Sequence, residues 1–333
     1  MANTPSWVYS FGASATVAAP TVSAVSTAGG TVGDLAGLYA ATLTGTNLTG
    51  ATGVTFNGLA ATSVVVVNAT TITCVVPSGG TTPGTASVLA MTAGGTNAAN
   101  ALFEYYSPAQ EALTMWQRAS YTGSPWTANA SAGTSAANGS FTEATNPATA
   151  GTALNGRTPA SFDGTAKLLT SANTLATYVS ATAFSVTVLV KPATPVASPT
   201  AGAGYNEPAI LGESAQGYWY LTYTTGGVKI GHRDTTAGAW VEATQACTSG
   251  AWHLVHAWFD GVNISISIDS VAATIVASTN QELAATGAIR MGKGFSAFAP
   301  CDVAEVIMSA TNLGATSRSK LKSYVNTRYA LAL

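Results

Sequence analysis

Apolar residues recur with period two from about residue 20 to residue 310, punctuated by Gly, Asn, Asp and Pro, which is the pattern of many short β-strands. Val54-Thr55-Phe56 stops at Asn57-Gly58, a pair favoured in hairpin turns because both central positions tolerate φ > 0. Val64 to Val67 stops at Asn68, and Ile72 to Val76 stops at Pro77. Phe184 to Val190 is nearly continuous in apolar residues, as expected of a strand buried between two sheets. Lys191-Pro192 and a Pro/Ala/Gly-rich loop to Pro208 end that run. Trp252 to Phe259 and Ile264 to Ile268 flank Asp260-Gly261, a second hairpin signal, and Ile264, Ile266 and Ile268 define a dry face opposite Ser265 and Ser267. Two segments read as helical. Pro108 to Arg118 is a short candidate. Thr316 to Tyr329 places Leu321, Tyr324, Val325 and Arg328 at helical spacing with Lys320 and Lys322 outward, capped by Thr316 or Ser317 and expected on the rim of a sandwich.

Composition narrows this picture. The 333 residues suffice for two domains. Charged residues make up 8%, against roughly 25% in an average globular domain, so Thr, Ser, Asn, Ala and Gly must form most of the surface. The net charge of −2 supplies no basic field for phosphate, which excludes nucleic acid as a partner class. Weak self-repulsion suits close packing of many copies, or simply reflects a weakly charged host proteome. No apolar run is long enough to span a bilayer, so no membrane partner is expected. The first 20 residues contain no Lys or Arg and no sustained apolar core, so a secretory signal is not expected and synthesis in a cytoplasm is. Cys74, Cys247 and Cys301 show no Cys-x-x-Cys spacing. Cys74 reads as a small core residue, and a Cys247–Cys301 disulfide stays open.

Residues 20 to 106 resemble an IPT/TIG domain. The likeness rests on Pro20-Thr21-Val22-Ser23-Ala24-Val25-Ser26, Leu43-Thr44-Gly45-Thr46-Asn47-Leu48 and Ala51-Thr52-Gly53-Val54-Thr55-Phe56-Asn57-Gly58. Ala60-Ala61-Thr62-Ser63 and Thr70 to Pro77 follow in order, ending near Phe103 to Tyr105, while Val32 to Ala40 departs from the family's tighter Gly-rich turn. Residues 112 to 333 resemble a concanavalin A-like, LamG-type jelly roll. Here the pieces are Leu154-Asn155-Gly156, Ala160 to Gly164, Phe184 to Val188, Trp252 to Val255, Ile289 to Gly292, Asp302 to Ile307 and the tail with Tyr324 and Arg328-Tyr329. The resemblances imply an all-β chain, an immunoglobulin-like sandwich plus a concanavalin A-like jelly-roll sandwich with a short C-terminal helix. The organisation is an arm over 1–19, the first domain over 20–106, a linker over 107–111 and the second domain over 112–333. Such modules keep company in bacteriophage virion proteins. That company implies a structural component in head decoration, tail or fibre, located in the virion, with capsid or tail proteins and further copies of itself as partners.

No catalytic constellation is visible, and the chain is read as not an enzyme. Glycoside hydrolysis wants two facing carboxylates, and the Glu-x-Asp-x-x-Glu strand of jelly-roll glycosidases is absent. Asp163, Asp260 and Asp269 each adjoin Gly or Ser, where Asx turns are the ordinary explanation. His253 and His256, three apart on a strand, face opposite sides, and His232 lies far away in sequence. No metal site or cofactor is expected. Calcium would find Asp163 and Asp302 as donors but no clustered acidic loop. Trp219 and Tyr223 share one strand face and Tyr218 and Tyr220 the other, so that one pair lines the core and the other is free for a host-surface glycan or an assembly contact. Trp219, Tyr223 and the weaker Trp240 are the candidate ligand-binding residues. Trp7, Tyr9 and Phe11 alternate in the N-terminal arm and could dock it as an added strand, the alternative being a featureless leader. The rival functions are a carbohydrate-binding adhesin or surface protein, and an accessory module of a polysaccharide-degrading enzyme.

Overall fold

A computed structural model describes residues 16–118, 120–126, 140–195, 208–215, 219–234, 239–278 and 287–333. The chain is all-β with one long helix near its C-terminus. Residues 21–106 and residues 115–309 build separate sheets.

In the N-terminal module one sheet runs, in spatial order, Thr21–Ser26, Ala40–Thr46, Thr71–Val75, Thr62–Asn68. The facing sheet runs Gly95–Thr96, Val88–Thr92, Gly53–Phe56, Leu59–Ala60. Alternation explains the pairing: Leu43, Ile72 and Cys74 point inward from the first sheet and meet Val54, Phe56, Val88 and Ala90 from the second. Asn57 (φ 50°) and Gly58 (φ 84°) form the expected tight turn between Gly53–Phe56 and Leu59–Ala60. Buried Asn97 and its neighbour Asn100 hydrogen-bond the backbone of the Val88–Thr92 strand in place of a neighbouring strand, with Asn97 Oδ1 accepting from the Ala90 amide at 2.6 Å and Asn100 Oδ1 from the Val88 amide at 3.0 Å.

The C-terminal module is a two-sheet sandwich. Its larger sheet is centred on Phe184–Pro192, flanked by His253–Phe259 and Pro300–Ser309. The facing sheet runs Phe141–Thr142, Leu169–Thr174, Ala288–Met291, Ala209–Glu213, Trp219–Thr224, Gly227–Arg233, Trp240–Gln245. Val186, Val188 and Val190 point into the space between the sheets, where they join Trp219, Leu221 and Ile230. The Asp260-Gly261 turn joins His253–Phe259 to Asn263–Ile268, and Asp260 Oδ1 accepts from the Val262 and Asn263 amides at 3.0 and 2.7 Å.

Three expectations are corrected. The Phe184–Pro192 strand is buried on both sides because its second face, with Ser185, Thr187 and Leu189, lies under the closing helix Ala315–Tyr329: Leu189, Leu254, Ala304 and Ile307 pack there against Leu321, Tyr324, Val325 and Tyr329. The helix therefore covers a sheet face and not a rim, and Gly314 precedes it without a side-chain cap. Pro108 to Arg118 is not a helix. Ser107 and Gln110 form a capping box around one 3₁₀ turn, Pro108–Gln110. Met115–Arg118 then pairs with the Pro300–Ser309 strand, putting Met115 into the sandwich core and Trp116 under the helix, so tertiary burial overrides a weak local pattern. The three cysteines are free thiols, Cys74 and Cys301 buried and Cys247 half-buried.

The helix also joins the modules. Asp34 accepts a charge-assisted bond from Arg328 at 3.0 Å with both side chains buried, and Lys320 pairs with Glu104 at 2.6 Å. Glu111 accepts from Tyr106 and Ser317, both at 2.9 Å. On the sandwich side, buried Glu305 accepts from Trp116 Nε1 (2.6 Å), Tyr324 OH (2.9 Å) and Tyr329 OH (2.7 Å). Burial raises the Glu305 pKa, opposed by Arg328 and by these three donors.

Candidate outer-sheet binding face

With the helix on one sheet, the seven-stranded sheet offers the other outer face of the sandwich. The strands Trp219–Thr224, Gly227–Arg233 and Trp240–Gln245 set its chemistry through simple alternation. Trp219, Leu221, Tyr223, Val228, Ile230 and Ala243 point inward. Tyr220, Thr222, Lys229, Gly231, Arg233, Trp240, Glu242 and Thr244 therefore point outward.

Register then brings them together. Arg290, Gly212, Tyr220, Gly231 and Glu242 lie in one row across five strands. Gly231 clears space for the Tyr220 ring, with which a Cβ there would collide, whereas on the other side Gly212 lies against the Gly294 backbone. The ring packs on Trp240 at 5.3 Å between centroids with a 37° tilt. The Tyr220 hydroxyl donates to Glu242 Oε1, and Lys229 Nζ sits 3.1 Å from Glu242 Oε2. Arg233 pairs across the strands with Trp240. The result is an aromatic pair edged by a carboxylate and cations, with Trp240 half-buried on the outermost strand. An indole face beside fixed donors and acceptors can stack on the C–H face of a sugar ring and hydrogen-bond its hydroxyls.

The expected ligand residues are thus divided. Trp219 is fully buried and Tyr223 nearly so, and both belong to the core. Trp219 packs edge-on against Phe184 at 6.1 Å. Neither presents a face to a ligand; Tyr220, on the outer side, is itself buried at 2% exposure and serves as a support for half-buried Trp240. Trp240 does lie on the outer face. Tyr218, Trp7, Tyr9 and Phe11 lie outside the described residues. Glu242, Lys229, Arg233 and Arg290 were missed, although period-two counting from Ile230 and Ala243 would have put the first three outward with Trp240.

The histidines are buried and locally paired. His253 Nδ1 lies 2.8 Å from Asp269 Oδ2, a bond that raises the His253 pKa against the opposing effect of burial. His256 Nδ1 lies 2.8 Å from Thr187 Oγ1 beneath the closing helix, and burial lowers its pKa to about 3. His232 Nε2 lies 2.8 Å from Ser278 Oγ, which is 3.1 Å from Asp234 Oδ2, a Ser–His–Asp contact that sequence spacing did not reveal. The carboxylate bonds the serine and not His232 Nδ1, which has no partner among the described residues, so the bond that orients a catalytic imidazole is not made there. Burial lowers the His232 pKa to about 4.

Asp163 Oδ1 accepts from the Thr165, Ala166 and Lys167 amides at 2.9 to 3.1 Å, and these bonds, that from Ala166 foremost, hold its carboxyl well below the usual range. Asp302 pairs with Lys191 at 3.2 Å. Among the described residues no group of three or more His, Cys, Asp or Glu side chains could hold a metal ion.

Fold and face together define a two-module all-β protein, an immunoglobulin-like sandwich joined to a larger two-sheet sandwich. Residues 20–105 match the IPT/TIG domain family. No curated protein sequence matches the chain significantly. Among solved structures, the chain is similar to the binding domain of paraclostridial mosquitocidal protein 1 (8% identity, 65% of this chain and 52% of that one, TM-score 0.47). It is also similar to the ligand-binding domain of botulinum neurotoxin serotype D in complex with N-acetylneuraminic acid (10% identity, 65% and 52%, TM-score 0.47). A third is domain 4 of the arabinanase AbnA from Geobacillus stearothermophilus, in complex with arabinotriose (14% identity, 56% and 82%, TM-score 0.39). The alignment spans about half of the first of these chains.

Proposed function

We propose that this protein is a carbohydrate-binding module that acts by recognition without turnover, using the outer face of the seven-stranded sheet. The observation that carries this reading is the Tyr220–Trp240 pair, set over Gly231 and edged by Glu242, Lys229 and Arg233. Trp240 provides the stacking surface, and the Tyr220–Glu242–Lys229 chain holds a carboxylate in a fixed orientation for sugar hydroxyls. A glycan array probed with the full chain tests it. Saturable binding is expected, weakened tenfold or more by Trp240→Ala with the fold intact. Absence of saturable binding to any saccharide overturns the reading. Trp219→Ala is a poor test, since it opens a cavity in the core.

A second reading is a structural part of a phage particle, as head decoration, tail or fibre, located in the virion. It is favoured by the absence of charged residues between Asp34 and Glu104, which gives a module able to pack against copies without like-charge repulsion. Many copies per particle in mass spectrometry of purified virions are the expected result, and absence from particles overturns it.

A further inference from the structure

Among the described residues the strand Thr62–Asn68 is an open edge of the N-terminal module. Four consecutive valines, Val64 to Val67, form its middle, and Val65 and Val67 are each 56% exposed. Natural edges of this kind are blunted by Lys, inward charges or Pro. None is present here, since no charged residue occurs from 35 to 103 and no Pro lies between Pro20 and Pro77. An apolar, uncharged edge strand is a template for a further strand.

The chain contains a matching segment. Ser6-Trp7-Val8-Tyr9-Ser10-Phe11 alternates aromatic residues with smaller ones, carries no charge and lies outside the described residues. In an extended conformation Trp7, Tyr9 and Phe11 fall on one face, with the same two-residue repeat as Val65 and Val67. Two register shifts against Thr71–Val75 twist the edge, which disfavours its pairing with its own copy and leaves it to a strand from another part of the chain.

Reach and chain direction together argue against the chain's own arm. Residues 18 and 19 are held on the opposite side of the module: Ala19 O accepts from Asn47 Nδ2 at 3.1 Å, and the Ala18 carbonyl packs so closely on Gly94 that a Cβ there would collide with it. Thr21–Ser26 and Thr62–Asn68 are opposite edges of one sheet, three strand spacings or roughly 14 Å apart. Residues 12 to 16 extend at most about 17 Å, and would have to reverse direction across the end of the sheet. We propose that the arm around Trp7, Tyr9 and Phe11 of a second copy of this chain adds a strand to the Val64–Val67 edge. Because Ala18 and Ala19, where the arm begins, and the edge lie on opposite sides of one module, the contact is heterologous and builds rings or open rows of copies. This inference is independent of the glycan face.

Analytical ultracentrifugation of the full chain tests it. Concentration-dependent association is expected, abolished separately by removal of residues 1–15 and by Val65→Lys, with circular dichroism confirming that both variants fold. A Tyr9→Cys chain mixed with a Val65→Cys chain should form an intermolecular disulfide that a Val17→Cys control does not. A monomer up to the solubility limit overturns the proposal. So does association that survives both variants, or a Tyr9→Cys/Val65→Cys double variant that crosslinks only within one chain.

Discussion

Between Asp34 and Glu104 the N-terminal module has no charged residue, whereas the C-terminal module buries Asp234, Glu305 and Arg328 together with three histidines. The first is held by apolar burial around Leu43, Phe56, Ile72 and Phe103, helped by asparagines that replace missing strand partners. The second adds polar networks, and these gather where one surface must find another. Asp34 and Glu104, the charges that bracket the neutral stretch, both engage the closing helix. Apolar faces attract without direction, while a buried ion pair or carboxylate has one satisfied geometry. The difference teaches that the modules would fold on hydrophobic pattern alone, but that their docking is specified by a few charges.

The largest expected effect tests that division at its centre. Glu305→Ala leaves Trp116, Tyr324 and Tyr329 without their acceptor, and should cost about 5 kcal/mol in urea denaturation. Glu305→Gln, which keeps one carbonyl acceptor, should cost less. Asp34→Asn removes the partner of a buried Arg328, at about 3 kcal/mol. Calorimetry should then show two transitions where one is expected of the intact protein, since the helix loses its grip on the first module. A single transition in both would mean that apolar contacts alone couple the modules.

Acid should act on the C-terminal module only, because all three histidines lie there. His232 and His256 have pKa values lowered by burial to about 4 and about 3, against an ordinary 6.5. Below pH 6.5 the unfolded chain takes up protons that the folded chain refuses. Their contribution is complete above pH 6.5 and falls by roughly 1.4 kcal/mol per pH unit for each group as the medium is acidified towards the folded values. His253 has the opposite sign: Asp269 raises its pKa, so its contribution is present at low pH and is lost as pH rises through the folded value. Denaturation between pH 7 and 4 should show a net loss of stability that a His232→Gln/His256→Gln variant largely removes. The smallest effect belongs to the N-terminal module: Gly58→Ala at φ +84° should cost about 1 kcal/mol and leave the C-terminal transition unmoved.

Both hairpin turns and the alternating strands of the first module were legible because each depends on residues adjacent in sequence. The face of Trp219 was not. Alternation separates Trp219 and Tyr223 from Tyr220 but does not say which set meets the second sheet, and both sets are aromatic. Only the packing of Phe184 and Ile230 against Trp219 settles it. Trp240 reads as weak from sequence for the converse reason. Its neighbours Tyr220 and Arg233 arrive from two other strands, through register that local pattern does not encode.

Sequence by itself determined the all-β class, the IPT/TIG-like stretch, the hairpins and a terminal helix, because periodicity, Asn-Gly and Asp-Gly turns and helical spacing are local signals. Tertiary structure decided the rest. It turned Met115–Arg118 from a weak helix into a strand, laid the closing helix on a sheet face, and brought Asp34 to Arg328 from opposite ends of the chain. The physical reason is common to all three: each outcome is set by which buried surface a segment can satisfy, and that surface is made by residues far away in sequence.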